Sequence, residues 1–286
     1  SDTHLFEDGQ DQLALESFSG FELLIHRAEF RRDEFIIFEN QNQIHLDFIV
    51  LNNDQSSPIN VDWKNLKTPI HPSPYVGWFQ RQKIQHFKHY HQTLEKFCES
   101  FSINPDLLEA RFSFVHNVDF STKEGLDKLA SEVDSLLTQL PEESNVFIKA
   151  SQGTYGMGIS VVSSSEEVIA MNRKVRNKMN IGKGNIKFKS LLIQEGVETV
   201  VRYDDAPSEV TIYLINGRSA GGFVRSNPLR TTKTNLNAQG MVYRKLCLSD
   251  VKQDCDHTIK EAVYAIIARL SVLSASYELK ELMENL

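Results

Sequence analysis

Asn145-Val-Phe-Ile-Lys-Ala-Ser-Gln-Gly-Thr-Tyr-Gly-Met-Gly-Ile-Ser-Val-Val162 decides how this chain is read. Val146 to Ala150 is a short apolar run, Ile159 to Val162 is a second, and the segment between them places Gly153, Gly156 and Gly158 within six positions. Two such runs predict a hairpin whose tip is nearly free of side chains, so its backbone N–H groups can approach phosphate oxygens. The segment is not GxxxxGK[ST] and opens no helix, which removes the P-loop and dinucleotide-fold explanations. Alone, it is equally well a plain hairpin. Lys149 shifts the balance, because an ammonium at the end of a buried-type strand, four residues before the first glycine, reaches the same oxygens as a point charge. The competing reading is a lysine that snorkels to solvent.

Upstream of the hairpin, FELLIHRAEF (21–30), DEFIIFENQ (33–41) and IHLDFIVLNND (44–54) predict strands, and the prolines of residues 67–77 predict an ordered crossing loop. From Trp78 onward, Trp78, Ile84, Phe87, Tyr90, Leu94 and Phe97 recur at helical intervals. His86, His89 and His91 lie in that helix, but only the first two share a face, so no metal site is expected there. Ser121 is the expected cap of the next helix, running to Leu137.

Downstream, Ser165 is expected to cap one helix through Met179, and a strand Leu191 to Val197 follows. That strand turns from apolar to Gln194-Glu195-Gly196-Val197. It reads either as a wall and acceptor edge for a purine or as a buried strand ending in a turn. Residues 208–217 and 218–227 predict further strands. A last helix begins near Thr258, and its Val263, Ile266, Ile267, Leu270 and Leu273 form one stripe expected to face the core. Glu209, Arg225, Lys233, Asn235 and Asn237 mix oxygen ligands suited to Mg2+ with cations suited to phosphate. Asn235 and Asn237 are also ordinary turn formers. The run Arg173, Lys174, Arg176, Lys178, Lys183, Lys187 and Lys189 contains no acid. It lacks the interleaved aromatics of a nucleic-acid surface.

With 286 residues, a net charge of -7 and 41% hydrophobic residues, the chain reads as an acidic globular protein, which disfavours general nucleic-acid binding. Cys98, Cys247 and Cys255 make neither a disulfide framework nor a zinc motif, and they suit a reducing cytoplasm. No run of 18 or more apolar residues is found, and the first residues lack the pattern of a signal peptide, so a membrane partner is not expected.

The order of these pieces resembles the ATP-grasp ligases and, more closely, the proteobacterial glutamate-cysteine ligase family. The resemblance is carried by LNNDQS (51–56), HPSPYVGWFQRQKIQHF (71–87), FIKASQGTYGMGI (147–159), MNRKVRNKM (171–179), IQEGV (193–197) and GGFVRSNPLRTTKTNLNAQGM (221–241). It implies a two-lobed α/β (α+β) ATP-grasp-like fold: a mixed lobe over 1–140, a lid subdomain with the glycine loop over 141–200, and a C-terminal lobe over 201–286. It also implies joining of the γ-carboxylate of glutamate to the amine of cysteine through an acyl phosphate, with ATP and Mg2+ as cofactors and a homo-oligomer possible.

On that resemblance Lys149 holds phosphates, and Gly153, Thr154, Tyr155, Gly156 and Gly158 cover them. Gln194, Glu195, Gly196 and Val197 meet adenine, Arg225 and Asn235 meet the reacting phosphoryl group, and Asn237 is a further ATP-binding candidate. His71, Arg81 and Lys83 are the candidates for amino-acid carboxylates. The family's late Glu-x-Asn metal pair is not found, which leaves Glu209 and Asn235, or Asp47, Asn53 and Asp54, as metal candidates. The family usually has a further segment before residue 1, so a truncated or divergent chain is expected. Another carboxylate-amine ligase, a non-catalytic nucleotide-binding relative and an RNA-associated protein are the competing readings.

Overall fold

The computed structural model describes residues 10, 12–16, 20, 22–53, 55, 59–152, 158–180, 190–246 and 257–285. Two compact units divide the chain, Ser1–Phe79 and Gln80–Leu286.

In the first unit β1 (Gln12–Glu16) pairs antiparallel with β2 (Glu22–His26). β3 (Ala28–Arg31), β4 (Glu34–Glu39) and β5 (Asn42–His45) form an antiparallel meander. The turn from β4 to β5 is Asn40-Gln41, both at positive φ (49° and 66°), the two-residue geometry whose twist matches that of the strands it joins. Ile36 and Phe38 alternate inward on β4. β6 (Ile49–Val50) lies parallel to β7 (Ile70–His71). The single strand expected over 21–30 is two, interrupted at Arg27.

The second unit opens with α1 (Lys83–Phe101), β8 (Phe112–His116), α2 (Lys123–Leu137), β9 (Val146–Ala150) and β10 (Ile159–Val162). It continues with α3 (Ser165–Ile169), α4 (Arg173–Asn180), β11 (Ser190–Glu195), β12 (Arg202–Tyr203), β13 (Ala206–Ile215), β14 (Arg218–Ser226), β15 (Val242–Lys245) and α5 (His257–Glu284). Among the described residues its strands form two antiparallel sheets, ordered β10-β9-β11-β8 and β12-β13-β14-β15. On one face of the first sheet, Val115, Val146, Ile148, Leu191 and Ile193 pack against Leu126, Leu129, Val133 and Leu136 of α2. That is the main core, and α2 enters it through a cap in which Thr122 Oγ1 accepts from Gly125 N at 3.1 Å.

Four expectations change. The first helix starts at Lys83 rather than Trp78, and Thr122 rather than Ser121 is the cap of the second. The helix expected through Met179 is two, because Asn172 Oδ1 accepts from Val175 N at 3.0 Å and starts α4 afresh. The boundary expected at 140/141 falls inside one sheet: β11 pairs with β8 on one side and β9 on the other, so residues 112–116 and 146–195 share a core.

The largest change is in α5. Leu270 is buried with Tyr90, Leu94 and Cys98, but Val263, Ile266 and Leu273 are exposed, and Lys260, Ser274 and Glu278 are buried instead. Its packed face is polar because α1 presents polar groups to it, with Ser271 Oγ 3.2 Å from His86 Nε2 and His89 Nε2 2.8 Å from Glu281 Oε2. The segment Ile259–Glu284 is long and apolar enough, by length and composition, to cross a membrane, although its sequence contains no uninterrupted apolar run of that length.

Candidate active site

The alternation of β9 builds the site. Val146, Ile148 and Ala150 point into the core, so Phe147 and Lys149 emerge on the opposite face. β11 does the same beside it, burying Leu191 and Ile193 while Gln194 shares the face of Lys149. There Lys149 Nζ donates to Gln194 Oε1 at 2.5 Å and lies 5.3 Å from the centre of the Phe147 ring. Lys149 has no carboxylate partner at ion-pair distance among the described residues.

A second lysine comes to the same strand end from 66 positions earlier in the chain (149 minus 83). Lys83 Nζ donates to Ala150 O at 3.2 Å, and its backbone N donates to Ser151 O at 2.8 Å. Ile84 N adds a bond to Ser151 Oγ at 3.5 Å, so the first turn of α1 is tied to the strand just where the glycine segment begins. Burial lowers both ammonium pKa values to about 8. For Lys83 the charges of Lys149 and Arg81 add to the depression, whereas for Lys149 the carboxylate of Glu209 opposes it.

Glu209, on the second sheet, acts on Lys149 through its charge and not through a contact. It stands in register with Arg225 on β14, with Arg225 Nε 2.9 Å from Glu209 Oε1. That is an ion-pair distance, but Nε has no well-aligned acceptor and is left without a true hydrogen bond. Beyond β14, fully buried Asn227 gathers the loop that carries Asn235 and Asn237. Its Nδ2 donates to the carbonyls of Leu236, Ala238 and Gln239 at 3.0, 3.3 and 3.3 Å, and its Oδ1 accepts from Leu229 N at 3.1 Å. Sequence reading passed over Asn227; the available signal was an asparagine directly before a proline at a strand end.

The connection between the sheets begins at Gly196. Its N donates to Asn145 O at 2.8 Å, and a Cβ there would stand 1.6 Å from Asn145 Oδ1 and 2.9 Å from Asn145 O, so a larger residue would have to displace the Asn145 side chain and crowd its carbonyl. Glu195 is turned away from the site, its carboxylate accepting from Arg111 N at 3.0 Å. Val197 and Val200 follow as exposed apolar side chains.

Lys83, Lys149, Gln194, Glu209 and Arg225 therefore come together, and other expected site residues do not join them in the way foreseen. Arg81, expected to meet a substrate carboxylate, binds a protein one: its Nη2 and Nε donate to Glu278 Oε2 and Oε1 at 2.9 and 3.2 Å. His86 Nδ1 also lies 3.4 Å from Glu278 Oε2 and 3.1 Å from Arg81 Nη2. Burial raises the Glu278 pKa, but the bonds from His86 and Arg81 outweigh it and hold the carboxyl below the ordinary glutamate range. This network, two residues before Lys83, was legible only as a glutamate in helical register with Lys260, Ser271 and Ser274.

His71 belongs to the first unit, exposed on β7, as do Asp47 and Asn53, whose Oδ1 accepts from Gln55 N at 2.7 Å. Gly153, Thr154, Tyr155, Gly156 and Asp54 lie outside the described residues, as do Lys183, Lys187 and Lys189. Gly158 is buried, and its carbonyl accepts from Ala150 N at 2.8 Å.

The Mg2+ candidates Glu209 and Asn235 are each engaged within the protein. Glu209 faces Arg225, Asn235 Oδ1 accepts from Asn237 N at 3.1 Å, and no group of three His, Cys, Asp or Glu side chains is disposed around a cation among the described residues.

The sequence profile of the glutamate-cysteine ligase family, GshA, matches residues 4–279. The chain belongs to that family. Among solved structures, it is similar to a protein from Methylobacillus flagellatus KT provisionally named a gamma-glutamylcysteine synthetase. That match has 31% identity and a TM-score of 0.79, and covers 94% of this chain and 66% of the other, just under two thirds of the relative's length. A second is D-alanyl-alanine synthetase A from Vibrio cholerae O1 biovar eltor str. N16961, at 13% identity, TM-score 0.48, and 92% and 70% coverage. No curated protein sequence matches the chain. In this mixed α/β arrangement Lys83 and Lys149 stand at one strand end of the first sheet, and Glu209 and Arg225 pair on the second.

Proposed function

We propose that this glutamate-cysteine ligase family member joins the γ-carboxylate of L-glutamate to the amine of L-cysteine at the cost of ATP, through an acyl phosphate. The observation that carries this reading is the pair of desolvated lysines, Lys83 and Lys149, at one strand end. Two buried ammonium groups repel each other, and a polyanion between them would relieve both the repulsion and the desolvation. ATP supplies that polyanion.

The chemistry explains why cations are needed. A carboxylate is a poor electrophile, so a glutamate oxygen attacks the γ-phosphorus, the bond to the leaving ADP oxygen breaks, and a mixed anhydride forms. The cysteine nitrogen, having lost a proton, then attacks the acyl carbon, and the C–O bond to phosphate breaks. Negative charge passes through the phosphoryl oxygens at each step, where fixed cations act most strongly.

In this reading Lys83 and Lys149 hold phosphates, and Arg225, loosely bonded to Glu209, turns to the transferring group. Val197 and the end of β11 receive the adenine. An Mg2+ accompanying the nucleotide would find its protein ligands outside the set described above. Cysteine as a substrate suits a reducing, cytoplasmic compartment.

Glutamate labelled with 18O in its γ-carboxylate tests the scheme. One label should appear in the released phosphate when ATP, glutamate and cysteine are all present. Unlabelled phosphate would exclude the acyl phosphate, and release stimulated by another amine but not by cysteine would exclude this acceptor.

A further inference from the structure

The basic helix α4 takes no part in the proposed reaction, and it lines a cavity of its own. We infer that this cavity, about 280 Å3 between α4 and the turn after β8, binds a small oxyanion. Its walls are Phe120 and Ser121 from the turn and Arg173, Arg176 and Asn177 from the helix. The last three stand at i, i+3 and i+4, so they form one helical face. That face is fixed, because Val175 and Met179 on the other side of α4 are packed into the main core.

The arginines are arranged for a ligand. Arg176 Nη1 donates to Phe120 O at 3.4 Å, which orients the guanidinium, while its Nε is buried and has no acceptor. A buried donor without an acceptor is costly, and an anion in the cavity supplies one. Arg27, Arg31, Arg81, Arg111 and Arg225 each lie at ion-pair distance from a carboxylate, whereas among the described residues Arg173 and Arg176 do not, nor do Arg32, Arg202, Arg218, Arg230, Arg244 and Arg269. The acid nearest in sequence, Asp119, is engaged by Ser121, whose N and Oγ donate to its Oδ1 at 2.8 and 2.6 Å.

Two guanidinium forks and an amide recognise the planar or tetrahedral oxygens of a carboxylate or phosphate. The volume admits inorganic phosphate or a short carboxylic acid and is too small for a nucleotide. The cavity adjoins the helical face of the first sheet, whereas Lys149 emerges from the other face. The two sites therefore respond to different substitutions.

Calorimetric titration of the whole chain with inorganic phosphate, and separately with succinate, at constant ionic strength set by chloride, tests this. Saturable binding of at least one probe is expected in the wild type and in Lys149→Ala, weakened at least tenfold in Arg173→Ala and in Arg176→Ala. Arg173 is exposed, so its variant keeps the fold; an unchanged circular dichroism spectrum verifies this. Phosphate binding alone assigns a phosphate ligand, and succinate binding alone a carboxylate. The inference fails if neither probe binds above the chloride control, if binding survives both arginine substitutions, or if it vanishes in Lys149→Ala. It fails equally if only RNA binds.

Discussion

Strand β9 presents two faces, and comparing them shows how one short sequence serves two purposes. On the core face Val146 and Ile148 pack in the cluster that includes α2, and Ala150 is buried on the same face, so each side chain is favoured by apolar burial. On the site face Phe147 and Lys149 look toward α1 and the second sheet, and Lys149 is desolvated with only a neutral amide as its hydrogen-bond partner. One face is stable as it stands. The other holds a charge that is better satisfied by a ligand than by the protein, as a binding site requires.

Substitutions on alternate residues should separate these faces. Lys149→Ala should lower kcat/KM for ATP-dependent phosphate release by about 10²- to 10³-fold, roughly 3 to 4 kcal/mol of transition-state stabilisation. Its melting temperature should not fall, because a costly buried charge is removed. Ile148→Ala, the next residue, should do the reverse: about 3 kcal/mol of stability lost in denaturant unfolding, with little change in KM for ATP. If both variants lost activity and stability alike, the two faces would not be functionally distinct.

Glu278→Gln tests the scaffold behind the site face. Arg81 and His86 lose an anionic partner and Lys83 loses its support. We expect about 2 kcal/mol of destabilisation, discounted for the partial exposure of Arg81, together with a several-fold rise in KM for ATP that Glu278→Asp partly restores. The pH dependence follows the lowered carboxyl pKa. The contribution of Glu278 is complete above the ordinary glutamate range and disappears as the pH falls through the folded value. Acid unfolding of the variant should therefore be shallower than that of the wild type.

The smallest effect is a fraction of a proton. With both lysine pKa values near 8, the free protein is partly deprotonated above that pH, and bound phosphates draw the protons back. ATP binding at pH 8.5 should take up protons, seen as a dependence of the calorimetric enthalpy on buffer ionisation, and should weaken as the pH rises. In the absence of nucleotide, stability should instead increase from pH 8 toward 10.5 as the buried charges are lost. An enthalpy independent of buffer would mean that neither lysine faces the ligand.

The core face was legible in the sequence and the site face only in part, for a physical reason. The short apolar runs Val146 to Ala150 and Ile159 to Val162 are local patterns that report burial directly, and the hairpin of β9 with β10 followed from them. Lys149 also stood out locally. Its setting did not, because Lys83, Glu209 and Gln194 come from distant segments, and Arg81 looks the same in sequence whether it meets a substrate carboxylate or Glu278. α5 misled most. Its apolar residues have core-like spacing, yet the helix buries Lys260, Ser274 and Glu278, and Arg81 with the α1 residues His86 and His89 meets its carboxylates Glu278 and Glu281. Periodicity identifies a face but not what the face will meet.

The most direct test of the account is calorimetric titration of Mg-ATP into the wild type, Lys83→Ala, Lys149→Ala and Ile148→Ala under conditions where all four are folded. The account predicts saturable binding to the wild type and to Ile148→Ala, with affinity reduced at least tenfold in each lysine variant. Equal affinity in all four would contradict it.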